Sequence, residues 1–193
     1  HDGGWDASGH YFLVAANAAN KIVVIDVPNK KLVDIIETGT KPHPGRGANI
    51  KNDLGELWVT SHLGENKLSF IKTDEGEGQW TVVKEITAPG NGGGALFVKS
   101  HPKSKHLWVD RTLNPDKALH SVVDVFDTKT LEHKKTLTMP EGADGRMVHM
   151  EYNKAGDEVW VSVFMGEKSA ILVYDDKTLE LKQMIQGDWV QNT

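Results

Sequence analysis

The 193-residue sequence predicts an all-β fold built from four copies of one structural unit. Three observations support this prediction. The copies share one internal order, each contains a strand centred on an aromatic residue, and no helical period persists over more than a few residues. The copies occupy residues 9–36, 55–86, 105–137 and 157–185.

Each copy consists of an aromatic-centred strand, a polar hairpin, a β-branched strand, a turn and an outer strand. The central aromatic residues are Phe12, Trp58, Trp108 and Trp160, at intervals of 46, 50 and 52 residues. A four-stranded propeller blade takes roughly 40 to 50 residues. The sequence therefore predicts a β-propeller domain over 1–193, with blades at about 1–40, 41–90, 91–140 and 141–193.

Segments rich in small residues separate the copies, and we expect them to form the innermost strands, where crowding around the axis favours Gly and Ala. They lie at 44–49, 90–102 and 145–156. The chain starts on a histidine that resembles a functional residue, and it ends without a strand that would close the propeller ring. We therefore expect four blades of a seven- or eight-bladed wheel.

Composition excludes several classes of function. The formal charge is −5, from 22 basic and 27 acidic residues, and no basic run argues for a nucleic-acid partner. No apolar run approaches the roughly 18 residues of a membrane span. The sequence has no cysteine, which excludes disulfides, thiolate metal sites and a covalently attached c-type haem within these residues.

Histidines in glycine-rich settings are the candidate functional residues. His1 opens the motif HDGG and His43 lies in KPHPGRGAN, where the glycines are predicted to leave space beside the imidazoles. Aligning the fourth blade on the first places His149 at the position of His1. Three imidazoles near one end of the central channel can bind a metal, donate protons to a ligand or hold an anion.

Two further residues fit the same site. Arg46 carries a guanidinium suited to a carboxylate, and Phe97 follows the turn Gly92–Gly94, where it is free to pack on a flat ligand. No nucleophile-elbow serine and no convincing carboxylate pair argues for a hydrolase. We expect the other histidines to be ordinary hydrogen-bonded residues: His10, His62, His101, His106, His120 and His133.

The motifs that carry a family resemblance cover nearly the whole chain. They are HDGGWDASGHYFLVAANAANKIVVIDV, PHPGRGAN, WVTSHLGEN, GGGALFVKSHP, LWVDRTLNPD, EYNKAGDEVWVSV and DDKTLELK. In these motifs the chain resembles the eight-bladed d1-haem domain of cytochrome cd1 nitrite reductases. The resemblance implies a periplasmic homodimer that reduces nitrite to nitric oxide, with non-covalent d1 haem in the propeller channel. It also implies a c-type haem in a domain outside this chain, and a small electron-donor protein, either a c-type cytochrome or a cupredoxin.

The resemblance assigns roles to individual residues. It implies that His1 and His43 are the distal histidines that hydrogen-bond nitrite and supply protons. It makes Arg46 a partner of a haem carboxylate, Phe97 an aromatic neighbour of the macrocycle, and His149 a haem contact where the family usually carries Gln. A further departure is FMGEKSA in the fourth blade, where the family carries a Trp-Asn pair. The proximal iron ligand is expected outside this chain, so no metal ligand is assigned within it.

Two other functions remain open on the sequence. One is a d1-haem biogenesis protein on the same propeller, either the dehydrogenase that completes d1 haem or a carrier of its precursor. The presence of both His1 and His43 favours the reductase, whereas His149 weakens that preference. The other is a non-enzymatic propeller of the surface-layer type, which would not need the motif PHPGRGAN.

Overall fold

The computed structural model describes residues 2–190 and confirms the all-β fold. Sixteen strands form four separate antiparallel sheets of four strands each within this range. The helical segments are three short 3₁₀ turns at Asn17–Ala19, Lys117–Ser121 and Asp188–Val190. None of the helices in residues 2–190 has the length and apolar character needed to cross a membrane.

Each sheet is formed by four strands that are consecutive in sequence. The first contains β1 (Gly3–Trp5), β2 (Tyr11–Ala16), β3 (Lys21–Asp26) and β4 (Lys31–Glu37). The second contains β5 (Pro42–Asn52), β6 (Gly55–His62), β7 (Lys67–Lys72) and β8 (Val82–Thr87). The third contains β9 (Val98–Lys99), β10 (His106–Asp110), β11 (Val122–Asp127) and β12 (His133–Thr138). The fourth contains β13 (Arg146–Tyr152), β14 (Glu158–Phe164), β15 (Ala170–Asp175) and β16 (Leu181–Ile185).

The first strands of the sheets lie innermost, as the small-residue segments predict. Strand β1 contacts β5, β5 contacts β9 and β9 contacts β13, so these strands gather around one axis. The last strands, such as β4 and β12, are mostly exposed. This radial order makes each sheet one blade of a propeller, and it places side chains from the first strands of different blades close together.

Three apolar cores hold neighbouring blades together, each formed by side chains from two adjacent sheets. The core between the first and second blades includes Leu13, Val24, Trp58 and Ile71. The core between the second and third includes Leu57, Phe70, Leu107 and Phe126, and the core between the third and fourth includes Trp108, Met147, Val161 and Leu172. Burying each of these side chains stabilises the fold by roughly 1.5–3 kcal/mol, so the blades are fixed relative to one another around the inner strands.

The central aromatic residues are not structurally equivalent, which corrects the prediction that they mark one repeated position. Leu57 and Leu107 face each other across the core between the second and third blades. Because side chains alternate along a strand, the neighbouring Trp58 turns towards the first blade and Trp108 towards the fourth. Trp160 lies on the same face of its blade as Trp108, because its neighbours Val159 and Val161 pack towards the third blade, and it is 38% exposed. The 50-residue interval between Trp58 and Trp108 therefore includes a shift of face.

A buried polar cluster around Asp176 joins the third and fourth blades. Its carboxylate accepts hydrogen bonds from Trp108 Nε1 at 3.3 Å, Tyr152 OH at 2.7 Å and Ser104 Oγ at 2.7 Å. Burial acts to raise the pKa of Asp176, but hydrogen bonds, including those from Tyr152 and Ser104, outweigh it and leave the pKa below its ordinary value. A carboxylate satisfied in this way fixes the relative position of two blades.

Candidate functional site

A wide bulge in β5 presents Arg46 at the inner end of the second blade. Strand β5 pairs with β6 at His43, and regular pairing resumes only at Ala48. The intervening backbone leaves the ladder through Gly45 and Gly47, whose φ angles are +60° and +66°. These are left-handed conformations that glycine adopts without strain. The bulge lifts Arg46 out of the sheet, and its side chain is exposed.

The glycines of the two histidine motifs allow close packing and do not leave open space. A Cβ on Gly45 would overlap the Phe97 ring, and a Cβ on Gly47 would overlap the Trp58 indole. A Cβ on Gly4 would overlap the backbone carbonyl of Arg46. For His43, the prediction that the glycines leave room beside the imidazole is wrong, because aromatic rings fill the space next to Gly45 and Gly47. Their effect is to bring Gly4, the PHPGRGAN segment and Phe97 close together.

The ring of His43 is buried and fixed at both nitrogens. Nδ1 lies 2.8 Å from the carbonyl oxygen of Leu96, which can only accept, so Nδ1 carries a hydrogen. Nε2 lies 3.1 Å from the Asp2 carboxylate, a pairing that is ionic when the ring is protonated. The Ser61 hydroxyl donates to the backbone carbonyl of His43 at 2.7 Å. His1, the other predicted distal histidine, lies outside the described residues.

Arg46, Phe97 and His149 line one cleft of about 280 Å³, together with Val98, Lys99, Met150 and Glu151. His149 lies at a bulge in β13 with φ of +53°, which turns its ring out of the sheet. Its centroid is 4.3 Å from that of Phe97, and it lies nearly parallel to Phe164 at 6.2 Å. Phe97 also meets His43 edge-on at 6.1 Å. The structure thus places three residues selected from sequence in one cavity, with His43 beside it.

The cleft is positively charged and holds a neutral imidazole. Partial burial lowers the pKa of His149 below its ordinary value, so the ring is uncharged at neutral pH. Lys99 is paired with Glu151 at 2.6 Å. The guanidinium of Arg46 has no ion-pair partner among the side chains in residues 2–190. Arg46 is therefore the cation in this cleft that is available to an anionic ligand.

The remaining histidines each have a polar neighbour, although Nδ1 of His62 and Nδ1 of His106 are buried with no hydrogen-bond partner among the described residues. His62, for example, is fully buried and lies 2.9 Å from Ser69 Oγ, and burial lowers its pKa. The others contact Asp26, Lys103, Asp176, Asn114 and Asp124, in the order His10, His101, His106, His120 and His133. No group of three or more His, Cys, Asp or Glu side chains in the described range is arranged to hold a metal ion.

Sequence reasoning missed Asp110 and Asp2. Asp110 ends β10 with its side chain fully buried, and its Oδ1 accepts the backbone N–H of Leu96 at 2.7 Å. Burial raises the pKa of Asp110 to about 7. An aspartate at the end of the apolar run LWVD was the signal for a buried carboxyl group, but the following arginine suggests a surface ion pair. Asp2 lies in the HDGG motif, and its contact with His43 spans two blades.

Comparison with known proteins matches the chain to one family of proteins. The family model described as "Cytochrome D1 heme domain" matches residues 1–192. A nitrite reductase of Stutzerimonas stutzeri is 47% identical over 204 residues, which cover 96% of this chain and 36% of that protein. Protein NirF of Pseudomonas aeruginosa is 29% identical over 143 residues, which cover 63% of this chain and 33% of that protein.

A solved structure with the same fold is the dihydro-heme d1 dehydrogenase NirN in complex with DHE. It superposes with a TM-score of 0.78 at 25% identity, over 96% of this chain and 37% of that one. The chain thus spans about a third of the length of these three proteins.

Proposed function

The chain belongs to the cytochrome D1 heme domain family, and we propose that it forms part of the d1-haem propeller of a dissimilatory nitrite reductase that produces nitric oxide. The observation that carries this proposal is the shared cleft of Arg46, Phe97 and His149 beside the buried ring of His43. A flat aromatic edge next to an unpaired guanidinium fits a planar ligand that carries carboxylates. The 47% identity to the Stutzerimonas stutzeri nitrite reductase supports the same activity.

Three residues of the cleft would hold the macrocycle without a covalent bond. Arg46 would bind a carboxylate side chain of d1 haem, since a guanidinium pairs with a carboxylate through two parallel hydrogen bonds. Phe97 would pack against the ring, and neutral His149 would offer a hydrogen bond at its edge. The absence of cysteine agrees with non-covalent binding to this chain.

His43 would supply a proton to nitrite, together with His1. When bound, d1 haem would coordinate nitrite and pass on the electron that nitrite reduction requires. The reaction consumes nitrite, one electron and two protons, and yields nitric oxide and water. The Nδ1 proton of His43 is held by the Leu96 carbonyl, so the transferable proton is the one on Nε2, which faces Asp2. A protonated imidazole also stabilises the bound anion.

The proposed function also implies parts of the protein outside this chain. The chain would contribute four blades of an eight-bladed wheel, and other blades would complete the haem pocket. A c-type haem in a domain outside this chain would deliver electrons, received from a c-type cytochrome or a cupredoxin. We propose a periplasmic homodimer, in keeping with the resemblance to cytochrome cd1 nitrite reductases.

A second candidate function is d1-haem biogenesis. It is favoured by the similarity to NirF and by the superposition on NirN, a dihydro-heme d1 dehydrogenase. The sequence identity to these two proteins is lower than that to the nitrite reductase. The buried His43 with its fixed tautomer also suits proton delivery to a small anion. No feature of the site favours a non-enzymatic surface-layer propeller.

Absorption spectra of the full-length native protein test the proposed function. We expect bands of both c and d1 haem in the oxidised and dithionite-reduced forms, and nitric oxide at an electrode after nitrite is added to the reduced protein. A d1-type band without c haem and without nitric oxide would favour the biogenesis function. A protein without visible absorption would contradict both, and would leave a binding propeller.

Substitution of Arg46 tests the proposed haem contact. Arg46→Gln in the full-length protein is expected to weaken d1-haem binding about 10- to 100-fold, because a charge-assisted hydrogen bond contributes roughly 1.5–3 kcal/mol. Affinity is measured by titrating d1 haem into the haem-depleted protein and following its absorption. Lys51→Gln is the control, since Lys51 is exposed on the same strand and pairs with Glu56. Equal affinities in the two variants would remove Arg46 from the haem site.

A further inference from the structure

Asp110 makes two contacts to the segment that leads into β9. Its Oδ1 accepts the N–H of Leu96 at 2.7 Å, and its own backbone N–H donates to the carbonyl of Phe97 at 3.3 Å. The Leu96 carbonyl lies between these two contacts, and it is the acceptor for His43 Nδ1 at 2.8 Å. Asp110 is thus connected to His43 through a single residue, Leu96.

The segment needs this support because it is not part of a sheet. Strand pairing in the third blade begins only at Val98, and residues 93–97 have no ladder partner. Gly94 is tied by backbone hydrogen bonds to Leu63 and Leu113, which fixes the start of the segment. At Leu96 and Phe97 the contacts to Asp110 replace the missing ladder. Phe97 in turn places its ring between His43 and His149.

Holding a backbone N–H with the buried carboxyl group of Asp110 lowers the stability of the fold. The carboxyl group is fully buried, and Oδ2 has no hydrogen-bond partner among the described residues. The neighbouring Arg111 does not neutralise it, because that guanidinium is paired with Asp124 in the core. Burial raises the pKa of Asp110 to about 7, against the opposing effect of the backbone N–H groups of Leu96, Phe97 and Thr112. A buried carboxyl group without a cation costs stability, which is typical of a functional position.

We propose that Asp110 is a positioning residue for His43. By clamping Leu96 and Phe97, it holds the Leu96 carbonyl where it keeps a proton on Nδ1 of His43 and turns Nε2 towards Asp2. A hydrogen bond at one imidazole nitrogen fixes the tautomer of the ring and the direction in which the other nitrogen points. The effect on catalysis rests on the proposed nitrite reduction, whereas the clamp itself does not.

The test uses Asp110→Asn in the full-length protein, with Asp116→Asn as the control. Asp116 caps the 3₁₀ turn that begins at Lys117 and is exposed, so it reports the effect of losing an aspartate in the same region. Asp110→Asn replaces a carboxylate acceptor of the Leu96 N–H by a neutral amide oxygen, which holds that N–H more weakly. We expect backbone amide exchange in residues 95–98 to become about 10-fold faster by mass spectrometry. We expect kcat for nitrite to fall about 10-fold with KM changed less than about 3-fold and the d1-haem spectrum retained.

A double-mutant cycle separates positioning from a general structural effect. If Asp110 acts through His43, Asp110→Asn lowers kcat in the wild-type background but causes no further loss in a His43→Ala background. An equal loss in both backgrounds, or unchanged amide exchange in residues 95–98, would overturn the proposal. Asp110→Ser is measured as a second variant, because it removes the carboxyl group without introducing an NH₂ donor. Faster exchange in a protein that never reduces nitrite would support the clamp while contradicting the proposed function.

Discussion

Replacing His43 by alanine in the full-length protein is expected to lower nitrite turnover by about 10²- to 10⁴-fold, the usual contribution of a positioned proton donor. The ring is buried and held by the Leu96 carbonyl and by Asp2, so a solvent molecule in its place would not be held in the same position. Arg46 lies on the bulge of the same strand, which packs against Phe97 and Trp58 through Gly45 and Gly47, and we therefore expect d1 haem to stay bound. Turnover is measured with a nitric oxide electrode and haem content by absorption.

His10→Ala is the matched control for this variant. His10 also pairs with an aspartate, at 3.0 Å from Asp26, but it lies on a partly exposed turn of the first blade away from the cleft. The fold should survive in both variants, because Ser61 contacts the backbone of His43 and not its ring. Nitrite turnover in His43→Ala equal to that in His10→Ala would exclude His43 as a proton donor.

The order of the strands could be predicted from the sequence because the unit repeats and its parts have distinct compositions. The Gly- and Ala-rich segments marked the inner strands, and charged segments such as 133–138 marked the outer ones. The face of each aromatic residue could not be predicted in this way. A shift of one residue in a hairpin leaves the pattern LWV unchanged but turns Trp108 to the opposite side from Trp58.

The predicted site residues were those with a local signal. Arg46, Phe97 and His149 each stand in a distinctive motif, and they line one cleft. For Asp110 the run LWVD indicated burial but not a role, because that role depends on a backbone group 14 residues away. The glycines were predicted to leave open space, but they allow close packing. Their function is visible only when Phe97 and Trp58 are seen against the backbone that the glycines form.

The largest loss of stability is expected for Gly47→Ala. A left-handed φ costs an alanine about 1–2 kcal/mol, and forcing a methyl group into a packed core costs typically a further ~1–3 kcal/mol. At Gly47 both costs apply, because φ is +66° and the new Cβ would overlap the fully buried indole of Trp58. Trp58 has little room to move, since it packs in the core between the first two blades. We expect a lower unfolding temperature in calorimetry of the haem-loaded protein, and weaker haem binding because Arg46 is displaced.

Gly9→Ala isolates the contribution of the overlap. Gly9 has a similar φ of +70°, but a Cβ there meets no atom within 4 Å. This control bears the conformational cost alone, and we expect it to retain its haem affinity and to lose only about 1–2 kcal/mol. The difference between the two variants then measures the packing of the PHPGRGAN bulge against Trp58. Equal losses would mean that the bulge can move away from the indole freely, and that the position of Arg46 is not fixed by the glycines around it.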